Sequence, residues 1–236
     1  MLSSLPHSRP HTGASIVVRA QASAPAKVLP RPRALRVVQN PSPRRVGEGV
    51  VRPPAMFRKL DVAKLEQTKS SVARGIRGRI AEQYPQLEDE DVLDELIPKK
   101  CVMTIAKTAE KNAVIVVDGA PLFFQLRDGP YFPTLKVLHR YPDMMPKLRV
   151  DKGAIKFVFQ GANIMCPGLT SPGAQMHDEV EEDTPVAIYA EDKQNALAVG
   201  ITKMSTAEIK KVNKGIGVDT VHHLNDGLWG TDRIES

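Results

Sequence analysis

Apolar positions change their spacing several times along the chain. Val72, Ile76 and Ile80 recur at i, i+4 and i+8, with Ala73 and Tyr84 beside them. That stripe predicts an amphipathic helix over residues 65–84, with Lys69, Arg74, Arg77 and Arg79 lying off it. Gly75 and Gly78 oppose the helix by about 1 kcal/mol each relative to Ala, and Pro85 ends it. Residues 91–97 suit a short acidic helix stopped by Pro98. Short β-prone runs follow at residues 102–105, 113–117 and 122–124. Asp118-Gly119 between the last two is a hairpin signal, and Asp128-Gly129-Pro130 is expected to close the meander. Leu135, Leu138 and Tyr141 then predict a second amphipathic helix over residues 134–141, and Pro142 and Pro146 mark a boundary.

Beyond it the pattern restarts. Residues 148–150 read as a strand and Asp151 as an N-cap. From Lys152 to Gln160, Ile155, Val158 and Phe159 fall on one helical face, with Ala154 and Phe157 beside it, and Gly161 is placed as a C′ glycine. Ile164-Met165 resumes a strand that Pro167-Gly168 is expected to turn, and residues 171–173 with the acidic 178–183 make a loop. Residues 186–189 and 196–201 form a strand pair. Ser205-x-x-Glu208 is a capping box opening a short helix that runs to about Asn213, and residues 218–224 are the last strand. The fold class is α+β: an N-terminal α/β domain with antiparallel strands, followed by a small strand-dominated barrel.

Charge changes this picture at one end. The chain has 236 residues, a formal charge of +6 and a pI near 9.3. Residues 1–55 hold nine Lys/Arg against Glu48 alone, and the rest of the chain holds 24 basic and 26 acidic residues, a net −2. The basic pI therefore belongs to the head and gives no reason for the body to bind polyanions through bulk charge. The head also carries nine of the 19 prolines and none of the eleven aromatics, a composition that cannot bury enough apolar surface to offset its ordering entropy. A disordered extension, an organellar transit peptide and upstream sequence preceding a start at Met56 all fit it. The domains expected are therefore 1–55, 56–146 and 147–231.

Catalytic and metal chemistry find little support. No window approaches 18 consecutive apolar residues. Cys101 and Cys166 lack the spacing of a disulfide framework or a zinc site. Phosphate-loop, zinc-protease and nucleophile-elbow motifs are missing. Gly78-Arg79-Ile80-Ala81 is similar to the Gly-Arg-Leu-Asp motif of pseudouridine synthases, but Ala81 stands where the carboxylate would be. His222 and His223 fall on a strand, where neighbouring side chains point to opposite faces. The expectation is a protein that is not an enzyme and needs no cofactor or metal.

The run Val150-Asp151-Lys152-Gly153-Ala154-Ile155-Lys156-Phe157-Val158-Phe159-Gln160-Gly161-Ala162-Asn163-Ile164-Met165-Cys166-Pro167-Gly168 resembles the opening of a PUA domain. Pro121-Leu122-Phe123-Phe124, Gly129-Pro130-Tyr131-Phe132-Pro133-Thr134-Leu135, Pro167-Gly168-Leu169-Thr170-Ser171-Pro172-Gly173-Ala174, Lys211-Val212-Asn213-Lys214-Gly215-Ile216-Gly217 and Leu224-Asn225-Asp226-Gly227-Leu228-Trp229 extend the likeness. Together they resemble the malignant T-cell amplified sequence 1 family of PUA-domain translation factors over residues 56–236. The resemblance implies a PUA-type pseudo-barrel, a cytoplasmic location, density-regulated protein as partner, and binding to small-subunit rRNA and the tRNA acceptor end. The implied roles are translation initiation, reinitiation, and recycling of tRNA and small subunits after termination. Competing readings are an RNA-modification or ribosome-biogenesis protein, a protein–protein scaffold, and an organellar location if the head is a transit peptide.

In PUA domains that hold RNA, the resemblance places the contact on the first helix, the Gly-Ala turn and the adjoining strand. Here that is Lys152, Lys156, Gly161, Ala162, Asn163, Ile164, Met165, Pro167, Gly168 and Leu169. Gly161 and Gly168 would leave backbone open to close approach. Lys152 and Lys156 would neutralise phosphate, and Ile164, Met165 and Leu169 would offer an apolar platform for unpaired bases. The competing reading is structural: the glycines only cap and turn, and Ile164 and Met165 are only core. Lys210 and Lys214, at i and i+4, form a second candidate with Lys203 and Lys211, against a merely solvated lysine face. For a protein partner, Phe57, Leu60, Leu65 and residues 121–124 are apolar candidates in the first half.

Overall fold

The stretch expected to open a long helix begins as a strand. In the computed structural model, which describes residues 57–89 and 91–235, Val62–Gln67 is β1 and α1 covers Ser70–Gln83. The expectations for residues 1–55 and for a start at Met56 lie outside the described residues. β1 pairs antiparallel with β2, Met103–Thr108, through Leu65↔Ala106 and Gln67↔Thr104. Helical spacing could not register a partner some 40 residues away. α1 buries Ile76, Ile80 and Ala81, but Val72, the first residue of the stripe, is 46% exposed. Beyond Tyr84, which ends α1 as its C-cap, α2 covers Gln86–Asp89 and α3 covers Val92–Leu96.

β3, Ala113–Val117, and β4, Ala120–Gln125, form the expected hairpin. Its turn needs two left-handed residues, and Asp118 (φ 49°) and Gly119 (φ 85°) supply them. The meander does not close at Gly129. β5, Tyr131–Pro133, adds to β4 with Phe124 opposite Phe132, giving a five-stranded sheet in the order β1-β2-β3-β4-β5. α4, Leu135–Arg140, covers it with Leu135, Val137 and Leu138 buried.

The second half is a curled six-stranded sheet in the order β7-β11-β10-β9-β6-β8. β6 is Lys147–Val150, β7 Ile164–Met165, β8 Gln175–Met176, β9 Pro185–Ala190, β10 Ala198–Thr202 and β11 Ile216–His223. Only the β6–β9 pairing is parallel among the described strands. The acidic loop thus encloses a short strand, β8. The helix expected over 152–160 shrinks to one turn, α5, Ile155–Val158. Asp151 is therefore not its N-cap, a place taken by Ala154; Asp151 Oδ1 accepts from Ala154 N–H at 2.9 Å and closes the turn that leads into the helix. Pro167-Gly168 does not turn the chain but opens a further one-turn helix, α6, Pro167–Thr170, with Pro at its first position. α7 covers Thr206–Val212 behind the expected capping box.

One apolar cluster fills the curled sheet, including Leu148, Val150, Ile164, Leu169, Ile188 and Val218. Another runs across both halves, joining Phe57, Phe124 and Phe132 to Val199, Val221 and Leu228. Phe57, Phe123 and Phe124 are core residues here, which removes them from a partner surface. A buried polar clasp lies beside them. His222 Nε2 accepts the Leu135 backbone N–H at 3.1 Å, so Nδ1 carries the proton and donates to Asp226 Oδ2 at 2.7 Å. Asp226 also accepts from the backbone N–H groups of His223 (3.0 Å) and Trp229 (2.8 Å). Burial raises its carboxyl, and these hydrogen bonds more than reverse that, so it titrates below the usual carboxylate range. Close by, Gly227 N–H donates to Phe57 C=O at 2.5 Å.

Candidate nucleic-acid interface

β7 is an outer strand of the curled sheet, and the expected contact segment folds around it. Gly161 adopts φ 70° and its N–H bonds to Val158 C=O at 2.9 Å, so it closes α5 as a left-handed residue. Ala162 C=O accepts the Thr220 hydroxyl at 2.9 Å. The Asn163 amide donates to Asp219 Oδ1 at 2.8 Å and accepts Thr220 N–H at 3.2 Å. The Ala162 carbonyl and the Asn163 side chain are therefore spent in holding this segment to β11, which leaves the Asn163 side chain little to offer a ligand. Gly168 is not left-handed, and a Cβ there would lie 3.5 Å from the Ala154 Cβ, an ordinary contact, so neither conformation nor space requires glycine. Pro167 lies on the surface at the start of α6.

Of the three residues expected to form the apolar platform, only Met165 reaches the surface. Ile164 and Leu169 are 2% and 1% exposed and belong to the core, so their side chains cannot stack with a base. Met165, the next residue on β7, points outward and is 49% exposed. Its cross-strand neighbour Ile216 is exposed as well. So are Phe157 and Phe159. The expectation that Phe159 shares a buried face with Ile155 and Val158 fails because α5 is one turn long. A helical period has no meaning past Val158, which alone is fully buried. These two phenylalanines are the surface residues that sequence reasoning missed. Their apolar character read as core, and only the shortness of α5 reveals otherwise.

The lysines divide into two groups. Lys152 is bound to Asp192 at 2.7 Å and lies 4.0 Å from Glu191, and the Asp192 carboxylate raises its ammonium above the ordinary value. Lys203 lies 3.8 Å from Asp219. Lys156, Lys210, Lys211 and Lys214 have no carboxylate within 4.0 Å among the described residues. Lys210 and Lys214 do not share a helix face, because α7 ends at Val212 and Asn213 caps it with φ 46°. That left-handed cap brings Lys214 and Gly215 against the start of α6. Cys166 N–H bonds to Gly215 C=O at 3.0 Å, and Cys166 Sγ lies 3.4 Å from Lys214 C=O. The end of α7 thus meets β7 and α6 at one edge. On α1, Arg77 is tied to Asp94 and to Ile97 C=O and Arg79 covers the Tyr131 ring, whereas Arg74 has no carboxylate within 4.0 Å among the described residues.

Comparison with known proteins follows this division into halves. Residues 57–142 match the Pre-PUA-like domain and residues 146–224 match the PUA domain. Malignant T-cell-amplified sequence 1 of Danio rerio is 51% identical over 178 residues, covering 74% of this chain and 97% of that protein. The chain belongs to the malignant T-cell-amplified sequence 1 family. The Drosophila melanogaster homolog is 49% identical over 186 residues, 76% of this chain and all of the relative. Among solved structures, a hypothetical protein from Pyrococcus horikoshii superposes with a TM-score of 0.56 at 23% identity, over 71% of this chain and 98% of that one. A PUA domain protein of Aeropyrum pernix gives 0.52 at 24%, over 70% and 89%. Both support the fold: an α+β chain with an antiparallel first sheet followed by a PUA pseudo-barrel. In this family member, no helix of the described residues is long and apolar enough to cross a membrane, and no group of three or more His, Cys, Asp or Glu among them is placed to hold a metal.

Proposed function

We propose that this chain is a non-catalytic translation factor whose PUA half binds RNA at the β7 edge. Its ligands are small-subunit rRNA and the tRNA acceptor end. It works with density-regulated protein in initiation and reinitiation, and in the recycling of tRNA and small subunits after termination, in the cytoplasm. Residues 147–231 are the RNA-binding domain, 56–146 the partner- and ribosome-binding domain, and 1–55 a basic extension. The observation that carries this reading is that Lys214, held against β7 and α6 by the Cys166–Gly215 hydrogen bond, has no carboxylate partner among the described residues, and neither do Lys156 on α5 and Lys210 and Lys211 on α7, in a body whose net charge is −2. Cations left unneutralised in such a body favour specific docking over general affinity.

Catalysis is disfavoured by where the buried ionisable groups sit. His222 is fully buried and Asp226 nearly so, and their hydrogen bonds all go to neighbours inside the fold, so neither can reach a substrate. For the protein partner, a shallow open depression at the edge strand β1 is lined by Leu60, Val62 and Leu65 together with Ile234 of the C-terminal segment. Leu60 and Leu65 keep part of their surface open, as a docking residue must.

The test is co-sedimentation of the full chain with purified small subunits, with and without density-regulated protein, at stepped salt. Binding that falls with salt, and falls further in a Lys210→Glu/Lys214→Glu variant, supports the reading. Absence of binding in every arm refutes it, and turnover of an RNA substrate refutes the non-catalytic part.

A further inference from the structure

We infer that Phe157, with Lys156 beside it, is a stacking platform for an unpaired base, and that it makes the β7 edge selective for a single-stranded RNA end over a paired one. The inference rests on the RNA-binding reading above and assigns one residue a specific part in it.

Three observations meet at Phe157. The first is exposure. Its ring is half exposed on a turn whose inward position is taken by Val158. The second is rigidity. Phe157 C=O accepts from both Gln160 N–H at 3.1 Å and Ala162 N–H at 3.0 Å, and its own N–H donates to Ala154 C=O at 3.0 Å. The ring therefore projects from backbone fixed on both sides, and a platform needs that fixity because every loose rotor must be ordered on binding. The third is charge. Lys156 Nζ lies 4.9 Å from the ring centroid, and no carboxylate competes for it among the described residues. The ammonium covers one face of the ring, and a base stacked on the other face keeps its phosphate within reach of that cation.

Position extends the argument. The Phe157–Ala162 hydrogen bond places the platform at the entrance to β7, and Met165 lies three residues further, at most about 10 Å of extended chain. Met165 and Ile216 there form an exposed cross-strand pair with Lys214 close by in the chain. The order along the edge is aromatic ring, apolar pair, lysine. A strand of RNA offers the complement, with base faces for the apolar groups and phosphates for the cations. The bases must be unpaired, because a duplex hides their faces in the stack and presents only edges. A protein partner with an acidic, apolar segment is the competing occupant, and the experiment separates it.

The assay uses the full chain and two fluorescein-labelled hairpin RNAs, one with unpaired 3′ nucleotides and one blunt. Phe157→Ala is expected to weaken the overhang hairpin about tenfold and to leave the blunt one unchanged. Phe157→Tyr is expected to keep the affinity of the parent chain. Thermal melts of both variants check folding, and the exposed position predicts no loss. Lys210→Glu/Lys214→Glu is expected to weaken both hairpins. If Phe157→Ala binds both hairpins like the parent while the lysine variant fails, the platform is refuted and the RNA reading stands. Equal losses on both hairpins also refute it, since a base-stacking contact must distinguish them. If the parent binds neither RNA, both readings fall. If Phe157→Ala spares RNA but abolishes binding of density-regulated protein, the face is a protein dock and the inference is wrong.

Discussion

Asp226 is the residue whose removal should damage this fold most for the fewest atoms lost. Its carboxylate holds three donors inside the protein: His222 Nδ1–H and the backbone N–H groups of His223 and Trp229. Asp226→Ala leaves all three without an acceptor at a place closed to water. An orphaned buried donor costs about 1–3 kcal/mol, so three of them together cost at least about 3 kcal/mol. That is a large share of a typical stability of about 5–15 kcal/mol. Asp226→Asn should cost less, about 1–3 kcal/mol. One oxygen can still serve His222 and His223, while the amide nitrogen faces the Trp229 N–H, donor against donor. The assay is urea unfolding, read as a fall in midpoint at constant slope. pH supplies an independent check. The folded carboxyl is depressed below its unfolded value of about 3.9, so its contribution is fully present above that value and is lost as pH falls through the folded one. The gap between the parent and Asp226→Asn should therefore hold from pH 7 to 5 and narrow below about pH 4. A cost under about 1 kcal/mol for Asp226→Ala, or a gap that widens in acid, would refute the account of the clasp.

Other expectations concern glycines. Gly75 and Gly78 lie in α1 with ordinary helical backbone, and a Cβ on either would meet nothing within 4 Å. Alanine at each should stabilise the protein by about 0.5–1 kcal/mol, seen as a rise in Tm of about 1–4 °C per substitution. A loss of stability would mean that this face is not free. Gly227→Ala should do the opposite, because its Cβ would lie 2.8 Å from Lys59 Cα and carbonyl carbon, where backbone cannot yield cheaply. A loss of at least about 2 kcal/mol in urea unfolding is expected, and a neutral result would refute the tight approach of these segments.

Legibility in the sequence followed the range of the interactions. The β3–β4 hairpin was readable because Asp118-Gly119 alone sets its geometry. The α7 capping box was readable for the same reason. Ser205 Oγ accepts from Glu208 N–H at 3.2 Å, and the Glu208 carboxylate accepts from Ser205 N–H at 3.0 Å. β1 was not readable, because Leu65 fits a helical stripe equally well and only β2 decides the matter. At the site, Gly161 as a helix terminator was a local inference and it stands. The work of Asn163 was hidden, because Asp219 and Thr220 lie 56 and 57 residues away. The exposure of Phe157 and Phe159 was hidden by the assumption that an apolar spacing implies a helix long enough to present a face.

Charge has to be judged the same way, by partner and not by count. Lys152 and Lys156 look equivalent in sequence, yet Asp192 engages the first and no carboxylate among the described residues engages the second. If the β7 edge binds single-stranded RNA through Lys156, Lys210, Lys211 and Lys214, at most four phosphates are neutralised there. The logarithm of affinity should then fall against the logarithm of salt concentration with a slope no steeper than about −3. Lys214→Gln should reduce that slope by about one contact, whereas Lys152→Gln should change it less, because its charge is already balanced. A titration of residues 56–236 beside the full chain decides where the phosphates are held. A slope much steeper than about −3 in the shorter chain would require contacts beyond these four lysines and would refute the assignment. A steep slope confined to the full chain would trace the excess to the nine basic residues of the head.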